Sequence, residues 1–485
     1  MGEKKDELIK IVGTDNVLDD PETLEAYSRD NSFVAPRKPR FVVKPETEDE
    51  IQKIVKWANQ TLTPLVPVSS GPPRFRGDTV PSLGGAVIVD LSERKQIIKI
   101  DGRNRVAIVE PGVTYGQLQP ELAKEGLRIP TPLLPRSSKS VVGSALEREP
   151  HLIPKYQWSL TEPLRVVRVV WGNGDIMTSG ALMAYAPEVA IDAGPVFPLG
   201  PAQVDYYRIV QAAQGSMGIV TWASVGCEVL PQLQKLFFVP SQRLDDLIGF
   251  AHRLLKFRYG DEFLILNNSA LAYILDEGGD QNGALREELP PWVLILCVAG
   301  YEYLPEERVE VQEKDIMGIA QQFSVKLVSA VPGASSGEVL EILRQPSKEP
   351  YWKLRYRGGC QDIFFLTTLN RTPEFVNTVS SVAQQQGYSP SQIGIYIQPQ
   401  HQGVCCHCEF SLPFDPGNPK EATKTQEFFT KASGVLINQG AFFSRPYGPW
   451  ANMVYNRDAH STAILKKIKG IFDPNNVMNP GKLCF

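Results

Sequence analysis

The chain has 485 residues, enough for two or three domains with substantial hydrophobic cores. Hydrophobic residues make up 42% and charged residues 21%, a composition that excludes a disordered or fibrous protein. The net charge of −4 leaves no overall basic field for binding nucleic acid. Apolar runs are too short for a membrane span, and the N-terminus lacks a signal-peptide core. Together with seven scattered or clustered cysteines, these features predict a cytoplasmic protein with reduced thiols.

The first part of the chain predicts strands that alternate with helices. Thr47 and Glu50 form a capping-box pattern ahead of apolar residues at helical spacing, so a helix is expected after Thr47. Apolar strands flank this helix, which gives a β-α-β unit. Strands are predicted at 41–45, 65–68, 86–91, 106–112 and 164–171, and helices at 5–12, 115–125 and 206–215. The proline-rich residues 129–163 are expected to be irregular and functional.

Beyond Pro231 the pattern changes to amphipathic helices that alternate with apolar strands. This change predicts a separate α+β domain. The helices are expected at 243–256, 305–323 and 372–386, and the strands at 262–266, 292–299, 361–367 and 393–398.

Several segments rich in Gly, Ser and Pro follow one another in a distinctive order. They are Ser69-Ser-Gly-Pro-Pro, Pro111-Gly-Val-Thr, Ser140-Val-Val-Gly, Gly215-Ser-Met-Gly-Ile-Val-Thr and the terminal Asp473-Pro-Asn-Asn with Asn479-Pro-Gly-Lys. In this order the set resembles the vanillyl-alcohol oxidase / p-cresol methylhydroxylase family of FAD enzymes. The segment from Ser140 to Arg148 is similar to the phenol-oxidising branch, whereas the terminal motif is shared with FAD-dependent 2-hydroxyacid dehydrogenases.

The resemblance implies an α+β, two-domain flavoprotein. Residues 1–35 would form an N-terminal helical segment, and residues 36–232 a FAD-binding domain of two α/β subdomains. Residues 233–435 would form an inserted α+β cap domain that covers the substrate. Residues 436–485 would return to the FAD and complete its domain.

The resemblance also implies which residues hold FAD. A pyrophosphate needs several backbone N–H donors in a concave loop, and small residues let the backbone approach it closely. Pro72 and Pro73 lack N–H groups, so Arg74 or Arg76 is expected to compensate with charge-assisted bonds. The alternative is an ordinary surface loop. The implied cofactor-binding residues are Val68, Ser69, Ser70, Gly71, Arg74, Pro132, Ser138, Val142, Gly143, Ser144, Glu147, Gly218, Ile219, Asn479 and Lys482.

Candidate catalytic residues lie near the C-terminus. The segment around Arg445 aligns with a Tyr-Arg pair of phenol-oxidising relatives, but Ser444 replaces the tyrosine, so Tyr447 is the candidate substitute. An arginine is always charged and can hold a phenolate or a carboxylate and favour anionic reduced flavin. The alternative is a solvated surface arginine.

The segment Gln400-His-Gln-Gly-Val-Cys-Cys-His-Cys-Glu-Phe supplies a second group of candidates. In a strand, Cys405, His407 and Glu409 share one face, and the residues between them share the other. A pairing of His407 with Glu409 toward the substrate is one interpretation, and simple packing is another. Because His401 and His407 resemble the histidine pair of the 2-hydroxyacid branch, a metal stays open. We assign no metal ligand.

The combined prediction is an FAD-dependent dehydrogenase or oxidase that transfers hydride from a small organic substrate to flavin N5. The substrate is expected to be a para-substituted phenol or a related aromatic, with Arg445 stabilising its anion and His407 or Glu409 as the base. A 2-hydroxyacid dehydrogenase and a flavin-holding electron-transfer or scaffold subunit are the alternatives. A homo-oligomer is expected. The identity of the electron acceptor stays open, and a partner protein and oxygen are both candidates.

Overall fold

The computed structural model describes residues 2–155, 163–184, 206–276 and 282–485. The first of its three main sheets has the strand order β1-β2-β4-β3, with β2 and β3 both parallel to β4. Its strands are β1 (Val17–Leu18), β2 (Phe41–Val43), β3 (Leu65–Val68) and β4 (Val87–Asp90), and the helices beside it are α1 (Gly2–Val12), α2 (Pro21–Ala26) and α3 (Glu48–Thr61).

Helix α3 begins where the sequence predicts it. The Thr47 side chain accepts a hydrogen bond from the Glu50 N–H, and the Glu50 carboxylate accepts one from the Thr47 N–H. The apolar face of the helix, which includes Ile51 and Ile54, is buried against the first sheet. Capping fixes where the helix begins, and the buried face supplies most of its stability.

The second sheet is antiparallel, with the strand order β5-β6-β10-β8-β9. Strands β7 and β11 pair separately. The strands are β5 (Ile97–Asp101), β6 (Val106–Val109), β7 (Leu127–Arg128), β8 (Leu164–Trp171), β9 (Ile176–Thr178), β10 (Gly218–Gly226) and β11 (Glu228–Val229). Its helices are α4 (Tyr115–Lys124), α5 (Val141–Glu147) and α6 (Tyr207–Val210).

The third sheet begins at Leu233, close to the change of pattern at Pro231. It is antiparallel, with the order β12-β14-β13-β18-β19-β17, and β15 and β16 form a separate pair. The strands are β12 (Leu233–Ser241), β13 (Phe263–Asn267), β14 (Trp292–Gly300), β15 (Ala330–Val331), β16 (Ala334–Ser335), β17 (Gly359–Thr367), β18 (Gly394–Gln400) and β19 (Cys405–Phe414).

Helices cover both faces of the third sheet and enclose two hydrophobic cores. They are α7 (Leu244–Lys256), α8 (Asn268–Leu275), α9 (Asn282–Glu288), α10 (Pro305–Gln322), α11 (Ser336–Arg344), α12 (Trp352–Arg355), α13 (Thr372–Gln385) and α14 (Pro419–Asn438). On β19, Cys406, Cys408 and Phe410 face one core, as the period of two predicts.

The C-terminal segment crosses back to the first sheet after α15 (Pro449–Tyr455) and α16 (Ala459–Phe472). The Leu65 N–H donates to the Val477 carbonyl at 2.8 Å, and the Asn479 N–H donates to the Leu65 carbonyl at 2.7 Å. The buried Lys469 ammonium donates to the Asp473 carboxylate and to two carbonyl groups. The two ends of the chain therefore share one hydrogen-bonded unit.

The structure differs from the predicted elements at two places. The stretch expected to be irregular contains α5, because the Ser140 side chain caps the helix at the Gly143 N–H and the first residues of the helix enter the second core. The end of that stretch, 156–162, lies outside the described residues. The helix expected over 206–215 ends at Val210, since Ala212 and Gln214 adopt positive φ angles of 54° and 53°. No described helix is long and apolar enough to cross a membrane.

We expect Lys469→Met to lower the free energy of unfolding by about 3–5 kcal/mol, because it leaves the buried Asp473 carboxylate without its ion-pair partner. The exposed Lys467 on the same helix provides the control variant, Lys467→Met. Urea unfolding followed by circular dichroism measures both. Equal stabilities for the two variants would contradict this role of Lys469.

Candidate active site

A pocket with an empty volume of about 1170 Å³ lies between the first two sheets and the third. One wall contains the end of β3, helix α5 and the start of β10, and the opposite wall contains Tyr351 and Asp362 of the predicted cap domain. Four basic and four acidic side chains line it: Arg74, Arg76, Arg136, Lys139, Asp78, Glu147, Glu149 and Asp362.

The structure brings ten of the predicted site residues to the wall of this pocket. They are Val68, Ser69, Ser70, Arg74, Val142, Gly143, Glu147, Gly218, Ile219 and Tyr447. The other nine do not line it. They are Gly71, Pro132, Ser138, Ser144, Asn479, Lys482, Arg445, His407 and Glu409.

The first loop follows β3 and approaches α5 closely. A Cβ on Gly143 would lie 3.0 Å from the Ser69 hydroxyl oxygen, so a larger residue there would require this hydroxyl to move. Gly71 is held by Ser138 instead of lining the pocket, because its N–H donates to the Ser138 carbonyl at 3.2 Å. The Ser138 hydroxyl in turn donates to the Pro72 carbonyl at 2.8 Å.

The turn before the predicted strand start at Gly218 lies against β3, the strand that leads into this loop. Gly215 has a φ of +68°, and a Cβ there would lie 2.4 Å from a side-chain carbon of Pro67. A Cβ on Gly218 would lie 2.6 Å from the Val170 carbonyl oxygen. Gly215 therefore permits close packing against β3, and Gly218 permits close packing of β10 against β8.

Asn479 and Lys482 support the pocket from behind. The Asn479 amide donates to the carbonyls of Asp78 and Gln214, both of which line the pocket, at 2.8 and 2.7 Å. The Lys482 ammonium donates to the carbonyls of Gly77 and Val80 at 2.8 and 2.7 Å. These bonds fix the segment 77–80, which forms part of the wall.

The lining suits a dinucleotide with a pyrophosphate. No described residue accepts a hydrogen bond from the backbone N–H of Ser69 or Ser70. The Arg74 guanidinium forms no ion pair with a described carboxylate, and the buried Thr79 hydroxyl has no partner among the described residues. N–H donors, a hydroxyl and an uncompensated cation are the groups that bind phosphate oxygens, so these residues fit FAD.

Arg445 and Tyr447 lie on the cap side of the pocket. Arg445 is 4% exposed, and its Nη1 donates to the Glu147 carbonyl at 3.3 Å. Its guanidinium carbon lies 4.4 Å from the centre of the Phe364 ring. Burial lowers the pKa of Arg445 and raises that of the Tyr447 hydroxyl.

His407 and Glu409 belong to a buried chain of charged groups that sequence reasoning did not find. His407 Nε2 lies 3.2 Å from a Glu409 carboxylate oxygen, and Lys353 bridges Glu409 to Asp362. Arg76 continues the chain, with its guanidinium 3.4 Å from Asp362. Of these linked charged side chains, only Arg76 and Asp362 line the pocket.

The charges in this chain set the protonation of its members. Burial lowers the pKa of His407, which makes the imidazole neutral near pH 7. Burial would raise the pKa of Glu409, but Lys353 and His407 outweigh it and hold the pKa below its usual range. His407 Nδ1 is buried without a partner among the described residues. No group of three or more metal-ligating side chains occurs in the described ranges.

Sequence reasoning also missed Arg136, Lys139 and Tyr351, which line the pocket. Arg136 and Lys139 lie in the proline-rich stretch, whose residues 132–147 were already expected near the flavin. That expectation could have pointed to both residues. Tyr351 and Lys353 lie in a short segment without periodicity, so only the folded chain brings them to the site.

The comparisons with known proteins agree with this geometry. Residues 39–180 match the FAD binding domain, and residues 449–483 match the C-terminal domain of FAD linked oxidases. The chain is 24% identical to D-2-hydroxyglutarate dehydrogenase of Stutzerimonas stutzeri (strain A1501), over 99% of this chain and 98% of that protein. It is 22% identical to the 4-cresol dehydrogenase [hydroxylating] flavoprotein subunit of Pseudomonas putida, over 97% and 93%.

Two solved structures share the fold. P-cresol methylhydroxylase with substrate bound has a TM-score of 0.84 at 19% identity, over 100% of this chain and 96% of that one. The 4-ethylphenol oxidase from Gulosibacter chungangensis also has a TM-score of 0.84, at 18% identity over 99% and 96%. The predicted α+β flavoprotein fold is confirmed. The chain is therefore a FAD-linked oxidoreductase, an enzyme whose cofactor is FAD.

We expect Asp78→Asn to become more stabilising as the pH rises from about 4 to above 6. Burial and the nearby Glu147 and Asp30 carboxylates raise the pKa of Asp78 to about 6, well above the ordinary range of an aspartate. The folded state therefore keeps a proton that the unfolded chain has lost, and the parent loses stability across this pH range. The melting temperatures of parent and variant at several pH values measure the effect. The exposed Asp49 on α3 gives the control, Asp49→Asn; a pH-independent difference for Asp78→Asn would contradict the shift.

Proposed function

We propose that this enzyme oxidises a para-substituted phenol or a related aromatic and passes a hydride to the flavin. The observation that carries the proposal is the buried Arg445 guanidinium, which has no described carboxylate within 4 Å. The Glu149 and Glu147 carboxylates act on it only from beyond that distance. A buried cation without a counter-charge in direct contact is costly, and an anionic ligand nearby relieves that cost. FAD, when bound, supplies the N5 atom that accepts the hydride.

The surroundings of Arg445 support an aromatic substrate. Phe364 lies beside the guanidinium, and the rings of Tyr447 and Trp450 lie 6.2 and 5.0 Å from the Phe364 ring. Tyr447 also lines the pocket. Its hydroxyl is protonated because burial raises its pKa, so it can donate a hydrogen bond to a phenolate oxygen.

Arg445 does not itself line the pocket. It lies behind Tyr447 and Glu147, which do line it, and acts on the bound substrate through its positive charge. Its positive field favours the ionised phenol and the negative charge that develops on the reduced flavin. In the same proposal, neutral His407 accepts the phenol proton. The chain from Asp362 through Lys353 and Glu409 connects the pocket to His407 by hydrogen bonds.

A 2-hydroxyacid substrate is the second candidate. The resemblance of the whole chain to D-2-hydroxyglutarate dehydrogenase favours it. The positive charge of the same arginine would then stabilise the carboxylate of the substrate from behind Tyr447 and Glu147. The domain division at 232 and 435, the homo-oligomer, the cytoplasmic location and an electron-accepting partner protein stay predictions.

The test is anaerobic stopped-flow reduction of the flavin by 4-alkylphenols and, separately, by D-2-hydroxyacids. We expect reduction by the phenols. We expect Arg445→Ala to retain FAD and to slow that reduction by about 10²-fold, the lower end of the range for losing an electrostatic contact to a developing anion. Arg445→Lys is expected to recover only part of the rate, because it keeps the positive charge but not the guanidinium donor that bonds to the Glu147 carbonyl.

The exposed Arg457 provides the control variant, Arg457→Ala, which should leave reduction unchanged. Reduction by hydroxyacids but not by phenols would replace the first candidate with the second. Equal rates for the parent and Arg445→Ala would remove Arg445 from the site.

A further inference from the structure

The pocket holds two kinds of cation. Arg76 and Lys139 form ion pairs, Arg76 with Asp362 and Lys139 with Glu147. Arg74 and Arg136 have no carboxylate within 4 Å among the described residues, although each is only 8% exposed. Such uncompensated cations are available to an anionic ligand.

The two uncompensated cations lie against different parts of the chain. The Arg74 guanidinium lies 4.5 Å from the Tyr27 ring centre and donates to the Ala26 carbonyl at 3.0 Å, so it belongs to the side of the first sheet. The Arg136 guanidinium donates to the Gly71 carbonyl at 3.1 Å. The backbone at Arg136 pairs with Ser347, which precedes α12.

Aromatic rings lie beside Arg136, where its segment meets the predicted cap domain. Its guanidinium lies 5.5 Å from the Phe75 ring centre, and the Phe75 and Tyr351 rings lie 5.4 Å apart. All three residues line the pocket. A buried cation beside two aromatic rings suits a ligand with an aromatic ring and an anionic substituent.

We infer that Arg136 is a specificity-determining residue that binds a carboxylate on the aromatic substrate, while Arg74 serves the FAD pyrophosphate. The inference rests on the proposed function and narrows the substrate class to phenols that carry a carboxylate on the para substituent. Because Arg136 is fixed by its bond to Gly71 and by the pairing with Ser347, its guanidinium is held in place before the substrate binds.

The test is equilibrium binding of a matched pair, 4-hydroxybenzoate and its amide, to the oxidised holoenzyme. Neither ligand has a benzylic C–H, so neither can reduce the flavin. The shift of the flavin absorbance gives both dissociation constants. We expect the parent to bind the carboxylate about 10- to 100-fold more tightly than the amide, the range for a hydrogen-bonded charged contact. Arg136→Met should remove this preference, and Arg136→Lys should keep part of it.

Arg74→Met is the matched control. At saturating FAD it should keep the carboxylate preference, and FAD titration of its apoprotein should show weakened binding that Arg136→Met does not share. A parent without the preference, or an Arg136→Met variant that keeps it, would overturn the inference. Weaker FAD binding in Arg136→Met with an unchanged preference would assign Arg136 to the cofactor instead. Because binding is measured without turnover, failure of the phenols to reduce the flavin would count against the proposed function alone.

Discussion

The return of the C-terminal segment to β3 is the constraint on which the pocket depends. Asn479 and Lys482 hold the wall segment 77–80 by hydrogen bonds that span 401 to 405 positions of sequence. Lys469 and Asp473 fix the same return from the side of α16. Closing so long a loop costs entropy, which the buried ion pair and the backbone bonds to Leu65 must offset. A site assembled from both chain ends is therefore rigid only in the complete fold.

The pocket is also surrounded by buried arginines that form no ion pair with a described carboxylate. The chain of groups from Arg76 to His407 is internally neutralised, since each cation contacts a carboxylate. Arg74, Arg136 and Arg445 have no such partner among the described residues, and they are placed around the pocket. Burying a charge without a partner costs several kcal/mol, so a bound anion stabilises this arrangement, by an amount that grows with the logarithm of its concentration relative to its dissociation constant. FAD supplies part of this negative charge, and in the proposed function an anionic substrate supplies the rest.

The sequence was informative where local rules decide the structure. The Thr47 capping box and the alternation along β19 both predicted features that the structure has. Helix α5 was not predicted, because its seven residues span only two turns and contain a glycine.

Long-range contacts decided the parts of the site that the sequence could not give. Gly71 was expected at the pocket and is held by Ser138 instead, 67 positions away. The position of Arg136 depends on its contacts with Gly71 and Ser347. Glu409 is linked to the pocket through Lys353. Spacing within one segment carries no information about such partners.

Ultraviolet difference absorbance of 4-fluorophenol, a para-substituted phenol that has no benzylic C–H to transfer, bound to the oxidised holoenzyme tests the central claim most directly. A phenol in water ionises near pH 10, so at pH 7 it is almost entirely neutral. A pocket surrounded by uncompensated buried arginines should bind it as the anion, and we expect the phenolate absorption band in the complex at pH 7. A bound phenol that shows only the neutral band would contradict the electrostatic role assigned to these arginines.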